Sequence, residues 1–260
     1  MDLAEAKVRG FTAGSRHPWE RARLALATRL IARHVSLRSG DVVLDIGCGD
    51  TFVVESLAKQ YPHVSFYAVD SAFTPDLMAM FKQRLTAPNV SLFASLDAVP
   101  STSAASLVLL MDVLEHVEDD HAMLHELARH PSVTGRTRLL ITVPAYAGLF
   151  CSHDRFLGHY RRYSRSDFQG LMAESRLAPI VSGHLFASLV PVRLLQVMSE
   201  RVSRPPAQSP TSVAAWQGSE WLARRLATLL EWDGRLGLAL LRFGISIPGL
   251  SNFAICRTSA

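Results

Sequence analysis

Residues 42–46, 64–69, 90–94, 106–111 and 138–143 are short, almost unbroken apolar runs, each closed by a polar or glycine-bearing turn. Between them, segments 52–60, 75–85 and 119–129 space their apolar residues at three and four positions. Runs of that length fit strands buried on both faces, and the intervening periodicity fits helices. Strand and helix alternating at this spacing predict βαβ units, so the fold class is α/β with a doubly wound, mostly parallel sheet. Residues 19–35, with Leu24, Leu26, Leu30, Ile31 and Val35, predict a further helix ahead of the first strand. After Val143 the rhythm changes. Ser164 offers a helix cap, and residues 179–183 and 252–257 read as two more strands. Between those strands lies a helical insertion: Leu185 to Val202, a break rich in Pro and Ser from Arg204, and an amphipathic run from Val213 to Phe243. The expected organisation is an N-terminal helical cap (1–36), a sheet domain (37–184), a helical insertion (185–247) and a last strand (248–260).

At 260 residues, 48% hydrophobic and 19% charged, the chain buries a substantial core and reads as one decorated domain. Cys48, Cys151 and Cys256 form neither a disulfide framework nor a Cys-x-x-Cys metal pair. The start carries no signal-peptide pattern, and no apolar stretch reaches the roughly 18 residues that span a bilayer. The expected compartment is the cytoplasm. Residues 1–145 hold 14 Lys+Arg against 16 Asp+Glu, and residues 146–260 hold 13 against 7, so the second part is basic. That asymmetry suits an anionic acceptor or a phospholipid surface. Nucleic acid is not expected, because basic residues interleave with aromatics only at Tyr160-Arg161-Arg162-Tyr163.

The chemistry concentrates at strand ends. Val42 to Thr51 reads VVLDIGCGDT: a strand carrying Asp45, then Gly47 and Gly49. Glycines there remove the Cβ atoms that keep a ligand from the backbone. A dinucleotide fingerprint needs Gly-x-Gly-x-x-Gly, and Phe52 stands at the third position, which disfavours a nicotinamide oxidoreductase. Asp70 closes the second strand, Ser95-Leu96-Asp97 the third, and Asp112 the fourth, so four polar positions converge on one sheet edge. Asp112 opens the segment DVLEHV, in which His116 is either a general base or a structural residue at the start of the next helix. Residues 143–163 concentrate His153, Asp154, His159, three arginines and three tyrosines in a loop leaving the fifth strand, more polarity than packing requires. His153, Asp154 and His159 lack a third well-spaced metal ligand, and no metal is expected from them. Trp19 and Arg23, in RHPWERAR, either fold over a ligand, the guanidinium forking onto a carboxylate, or belong to a helix entry with Pro18 in its first turn.

These motifs together resemble the class I S-adenosylmethionine-dependent methyltransferases, over residues 17–175 and again from Pro248 to Arg257. The His-Asp…Gly-His-Tyr-Arg-Arg-Tyr segment is similar to that of one subfamily. Asp50 and Thr51 depart from the pattern, standing where a third glycine is common. The resemblance implies a Rossmann-like domain whose last two strands form a hairpin, and S-adenosylmethionine held by Trp19, Arg23, Asp45, Gly47, Cys48, Gly49, Asp70, Ser71, Ser95, Leu96 and Asp112. Asp45 would anchor the methionine end and Asp70 the ribose hydroxyls. His116, His153 and His159 are the candidate catalytic bases for an oxygen acceptor, while Arg161 or Arg162 would position a carboxylate acceptor. The expected acceptor is a bulky, apolar small molecule or lipid, methylated in line on oxygen or, as a lesser alternative, on nitrogen or carbon, and covered by the insertion, which also offers a peripheral membrane contact. The alternative is a cofactor-binding module without catalysis that acts through a protein partner.

Overall fold

The structure is a computed structural model that describes residues 16–100, 104–203 and 218–258. Seven strands form one sheet: β1 (Val42–Ile46), β2 (Ser65–Val69), β3 (Val90–Phe93), β4 (Ala105–Met111), β5 (Arg138–Pro144), β6 (Leu177–Leu185) and β7 (Ser251–Thr258). Their order is β3-β2-β1-β4-β5-β7-β6. β1 to β5 are parallel, and β7 runs antiparallel between β5 and β6. The order reverses between β1 and β4, so the crevice where such sheets bind ligands opens beyond Ile46 and Met111.

Eight helices accompany the sheet among the described residues: α1 (Pro18–His34), α2 (Phe52–Gln60), α3 (Pro75–Arg84), α4 (Asp120–Arg129), α5 (Ser152–Leu157), α6 (Arg165–Glu174), α7 (Leu189–Ser203) and α8 (Glu220–Leu241). Successive strand residues point to opposite faces. Val43, Leu107 and Leu109 therefore pack with α1 to α3 on one side. Leu44, Val108 and Leu110 pack with α4 and α6 on the other. α1 starts as its sequence predicts: Pro18 lies in the first turn, His17 Nδ1 accepts the Trp19 amide, and Glu20 accepts the His17 amide.

The strand expected over 179–183 is longer, because its pairing with β7 runs from Leu177↔Thr258 to Leu185↔Ser251. The helix expected from Leu185 begins at Leu189 for the same reason. α8 begins at Glu220, where Ser219 accepts the Leu222 amide as a cap. The expected break from Arg204 and the start of the amphipathic run, Val213 to Gln217, lie outside the described residues, as do residues 1–15 of the N-terminal cap.

α8 packs its small residues inward. Ala223, Ala227 and Gly234 are buried, and Gly234 lies so close to Leu26 of α1 that a methyl group there would collide with it. At 100° per residue, Trp221, Trp232, Leu236, Leu229 and Leu222 fall within one stripe about 100° wide on the opposite side. All five are exposed, Trp221 at 65% and Trp232 at 63%. Arg225 and Arg235 stack on the two tryptophans with their guanidinium carbons 5.4 and 5.6 Å from the ring centroids. No helix among the described residues is long and apolar enough to cross a membrane.

Candidate active site

The loop after β1 takes a shape that its glycines allow. Gly47 and Gly49 have φ of +69° and +57°, the left-handed region that side chains resist. A Cβ on Gly47 would lie 2.6 Å from Val113 Cγ2, so the first turn after β1 fits closely under the first turn after β4. Thr51, at the departure from the family pattern, also has a positive φ of +65° and caps α2 without a side-chain hydrogen bond. It adopts the backbone a glycine would take, at a cost of about 1 kcal/mol.

Asp70 ties this loop to β2. Its Oδ2 accepts the Gly49 amide at 2.9 Å and its Oδ1 the Ala72 amide at 2.9 Å. Asp45 is buried beneath the loop, and its Oδ2 has no hydrogen-bond partner. Burial pushes its carboxyl up to about 7, nearby Asp70 adds to the shift, and Arg23 opposes it.

Asp112 ends β4 with φ of +59°. It accepts from Arg23 Nη1 and, at 2.9 Å, from Thr142 Oγ1. Arg23 in turn lies over the Trp19 ring, 4.6 Å from its centroid. The fork that the sequence directs to a ligand carboxylate is thus engaged by Asp112 through Nη1, while Nε stays buried and unpaired.

Loop 146–163 is held at both ends, the Tyr146 amide bonding to Tyr163 O at 3.0 Å and the Tyr163 amide to Pro144 O at 2.9 Å. Its hub is Asp154, fully buried. Asp154 accepts the Cys151 amide at 2.9 Å, faces His159 Nδ1 at 3.2 Å, and pairs with Arg162 through Nε at 2.9 Å and Nη2 at 2.8 Å. Burial alone pushes its carboxyl up, but the His159 and Arg162 hydrogen bonds hold it far below the usual carboxylate range. Arg161 bonds to Asp120 Oδ1 at 2.8 Å and to the Glu118 carbonyl. Both arginines thus have partners within the chain, and Arg162 also lines the cleft. The cap of α4 is Asp119, accepting the Ala122 amide at 2.8 Å, so His116 does not cap it. His116 instead meets His159 edge to face, with ring centroids 4.5 Å apart. Burial, reinforced by Arg193, pushes the His153 imidazole down to about 4, and it is neutral at neutral pH.

One cleft of about 840 Å³ gathers these groups. Trp19, Arg23, Asp45, Gly47, Cys48, Gly49, Asp70, Ser71, Ser95, Leu96 and Asp112 line it, and so do His116, His153 and His159. Asp97 does not. Sequence reasoning passed over Glu115, also in the lining. It is completely buried with both carboxylate oxygens lacking hydrogen bonds, and burial, reinforced by Asp112, pushes its carboxyl well above the usual range. Its signal was its place inside the DVLEHV segment.

A family model for the methyltransferase domain matches residues 18–180, more than half of the chain. The chain belongs to the methyltransferase-domain family. Membership makes it an S-adenosylmethionine-dependent methyltransferase by family. Solved structures share its fold at low identity. The plantazolicin methyltransferase BpumL in complex with SAH is 15% identical, with a TM-score of 0.55 over 99% of this chain and 94% of that one. Coclaurine N-methyltransferase bound to N-methylheliamine and SAH is 13% identical, with a TM-score of 0.54 over 90% and 70%. The [4+2]-cyclase SpnF is 14% identical, with a TM-score of 0.54 over 92% and 82%, so the fold by itself does not fix the chemistry. No curated protein matches the chain in sequence.

Proposed function

We propose that this methyltransferase binds S-adenosylmethionine in the cleft and methylates an oxygen of a bulky, mostly apolar small molecule or lipid. The observation that carries the cofactor side is the unpaired, buried Asp45 Oδ2 beneath a glycine loop that Asp70 holds from the next strand. An unpaired buried carboxylate is costly, and the cationic methionine end of the cofactor relieves it. Each Asp70 oxygen accepts one amide and keeps a lone pair for a ribose hydroxyl. Trp19 and Arg23 close over the methionine end, with the unpaired Arg23 Nε available to its carboxylate. Ser71, Ser95 and Leu96 continue the same wall. When bound, the cofactor supplies an electrophilic methyl on a sulfonium. The chain's remaining task is alignment and exclusion of water.

The imidazoles on the other side of the cleft, His116, His153 and His159, serve the acceptor, and His153, neutral but made a weak base by burial, accepts a hydrogen bond from its hydroxyl rather than the proton. Val117, Met123, Leu157, Leu189, Val192, Leu230 and Leu250 give this side an apolar lining. The exposed α8 stripe with its arginines has the character of a helix lying on an anionic bilayer, from which a lipid acceptor would enter. Methyl-labelled S-adenosylmethionine incubated with an extract of the source organism, followed by mass analysis of the product, tests the reading. A labelled hydrophobic product is expected. A small polar product overturns the apolar acceptor, and absence of S-adenosylhomocysteine binding by calorimetry overturns the cofactor site.

A further inference from the structure

The two guanidinium groups whose charges act on Glu115 are both engaged elsewhere, Arg23 by Asp112 and Arg162 by Asp154. A fully buried carboxylate is therefore left, among the described residues, without an ion pair of its own and without a donor from any other residue on either oxygen. Proteins seldom retain such a group unless a ligand completes it. Ligand atoms of Glu115, His116 and His159 all lie within 4.8 Å of one another. Donors on one ion, at about 2.1 Å from it, are separated by roughly 3 to 4.2 Å, so small side-chain movements bring the three onto a single centre. Asp154 at His159 Nδ1 leaves Nε2 as the donor nitrogen. A carboxylate behind a histidine is the arrangement that orients metal-bound imidazoles.

We infer that Glu115, His116 and His159 bind a divalent first-row transition-metal ion in the acceptor half of the cleft. One carboxylate and two imidazoles leave coordination positions open. An acceptor hydroxyl occupies one of them. Its O–H bond breaks with the proton leaving to water, the electron pair stays on the oxygen, and the ion stabilises the resulting anion. The substrate class this assigns is an alcohol or phenol with a second oxygen close enough to chelate. This role deepens the methyl-transfer reading and rests on it, whereas the binding of the ion does not.

The test is titration of chelator-treated full-length protein with Co²⁺, followed by calorimetry and visible absorption, with S-adenosylhomocysteine affinity measured on the same metal-free sample. One equivalent of Co²⁺ is expected to bind with ligand-field bands. Glu115→Gln and His159→Ala should each weaken it at least tenfold, and Asp154→Asn about tenfold through loss of the oriented imidazole. His159→Gln, on a loop, carries the same comparison if Glu115→Gln fails to fold. Absence of saturable binding, or equal binding by the ligand variants, overturns the inference. S-adenosylhomocysteine binding without Co²⁺ binding overturns the metal site alone, and Co²⁺ binding without S-adenosylhomocysteine binding overturns the cofactor reading alone.

Discussion

Asp70 Oδ2 accepts the Gly49 amide at 2.9 Å, so the acid at the end of β2 also shapes the loop at the end of β1. Asp70→Ala should then do two things: remove the ribose acceptor and loosen the loop. S-adenosylhomocysteine binding is expected to fall by a few kcal/mol, since hydrogen bonds to a charged group are worth about 1.5–3 kcal/mol each. Calorimetry checks it, and affinity equal to the parent's would remove Asp70 from the site.

The Gly47 contact with Val113 yields a double-mutant test. Gly47→Ala should abolish cofactor binding and destabilise the fold, from collision with Val113 and from the left-handed φ. Adding Val113→Ala opens the space but not the backbone, so about 1–2 kcal/mol of the loss should persist. Full recovery in denaturant unfolding would show that backbone conformation plays no part there.

Asp45 links the site to pH. Its folded carboxyl titrates at about 7, against about 3.9 in an unfolded chain. Between those values the folded state holds a proton that the unfolded state has released, so this group's contribution to stability is lost as pH rises from about 4 to 7. A cationic ligand favours the ionised form. S-adenosylhomocysteine affinity should therefore increase with pH up to about 7, by at most tenfold per unit, and level off above it. Calorimetry in buffers of different ionisation enthalpy should detect a released proton that disappears in Asp45→Asn. An unchanged proton count in that variant would assign the effect to other groups.

Asp154→Ala should cost about 3–5 kcal/mol, because it leaves the Arg162 guanidinium buried and unpaired. Asp154→Asn should cost less, since the amide oxygen still accepts. A loss under about 1 kcal/mol for the alanine variant in urea unfolding would mean that the loop does not depend on this hub.

The α8 stripe should make the protein sediment with anionic vesicles at low salt, less so at high salt, and less again in Leu229→Ser/Trp232→Ser. Both side chains are exposed, so the melting temperature should hold. If the double variant instead changes only self-association, the stripe joins two copies and the membrane reading falls.

The strand ends and the residues on them were legible in the sequence because apolar runs end where the chain reaches water. Asp45, Gly47, Asp70 and Asp112 needed nothing more than that. What stayed hidden were partnerships between distant residues. No local pattern joins Arg23 to Asp112 or withdraws Arg162 into Asp154, and without those two pairs Glu115 does not look deserted. α8 was misleading in another way. Its leucines and tryptophans are what catch the eye, yet Ala223, Ala227 and Gly234 make the contact with α1, since close helix approach depends on what is missing from a side chain.

The place of β7 sets an order of events during synthesis. Named pairings give β6 only one neighbour, β7, and residues 186–250, including α7 and α8, emerge between them. β6 must therefore wait with both edges unpaired while α7 and α8, the second of which packs on it, are made, and β5 waits with one edge open. Long-range pairing of this kind is slow and exposes strand edges meanwhile. The nascent chain is accordingly most prone to aggregate in the interval before Ser251–Thr258 arrives, and a chain stopped short of β7 would lose the connection between its two halves of sheet as well as a strand.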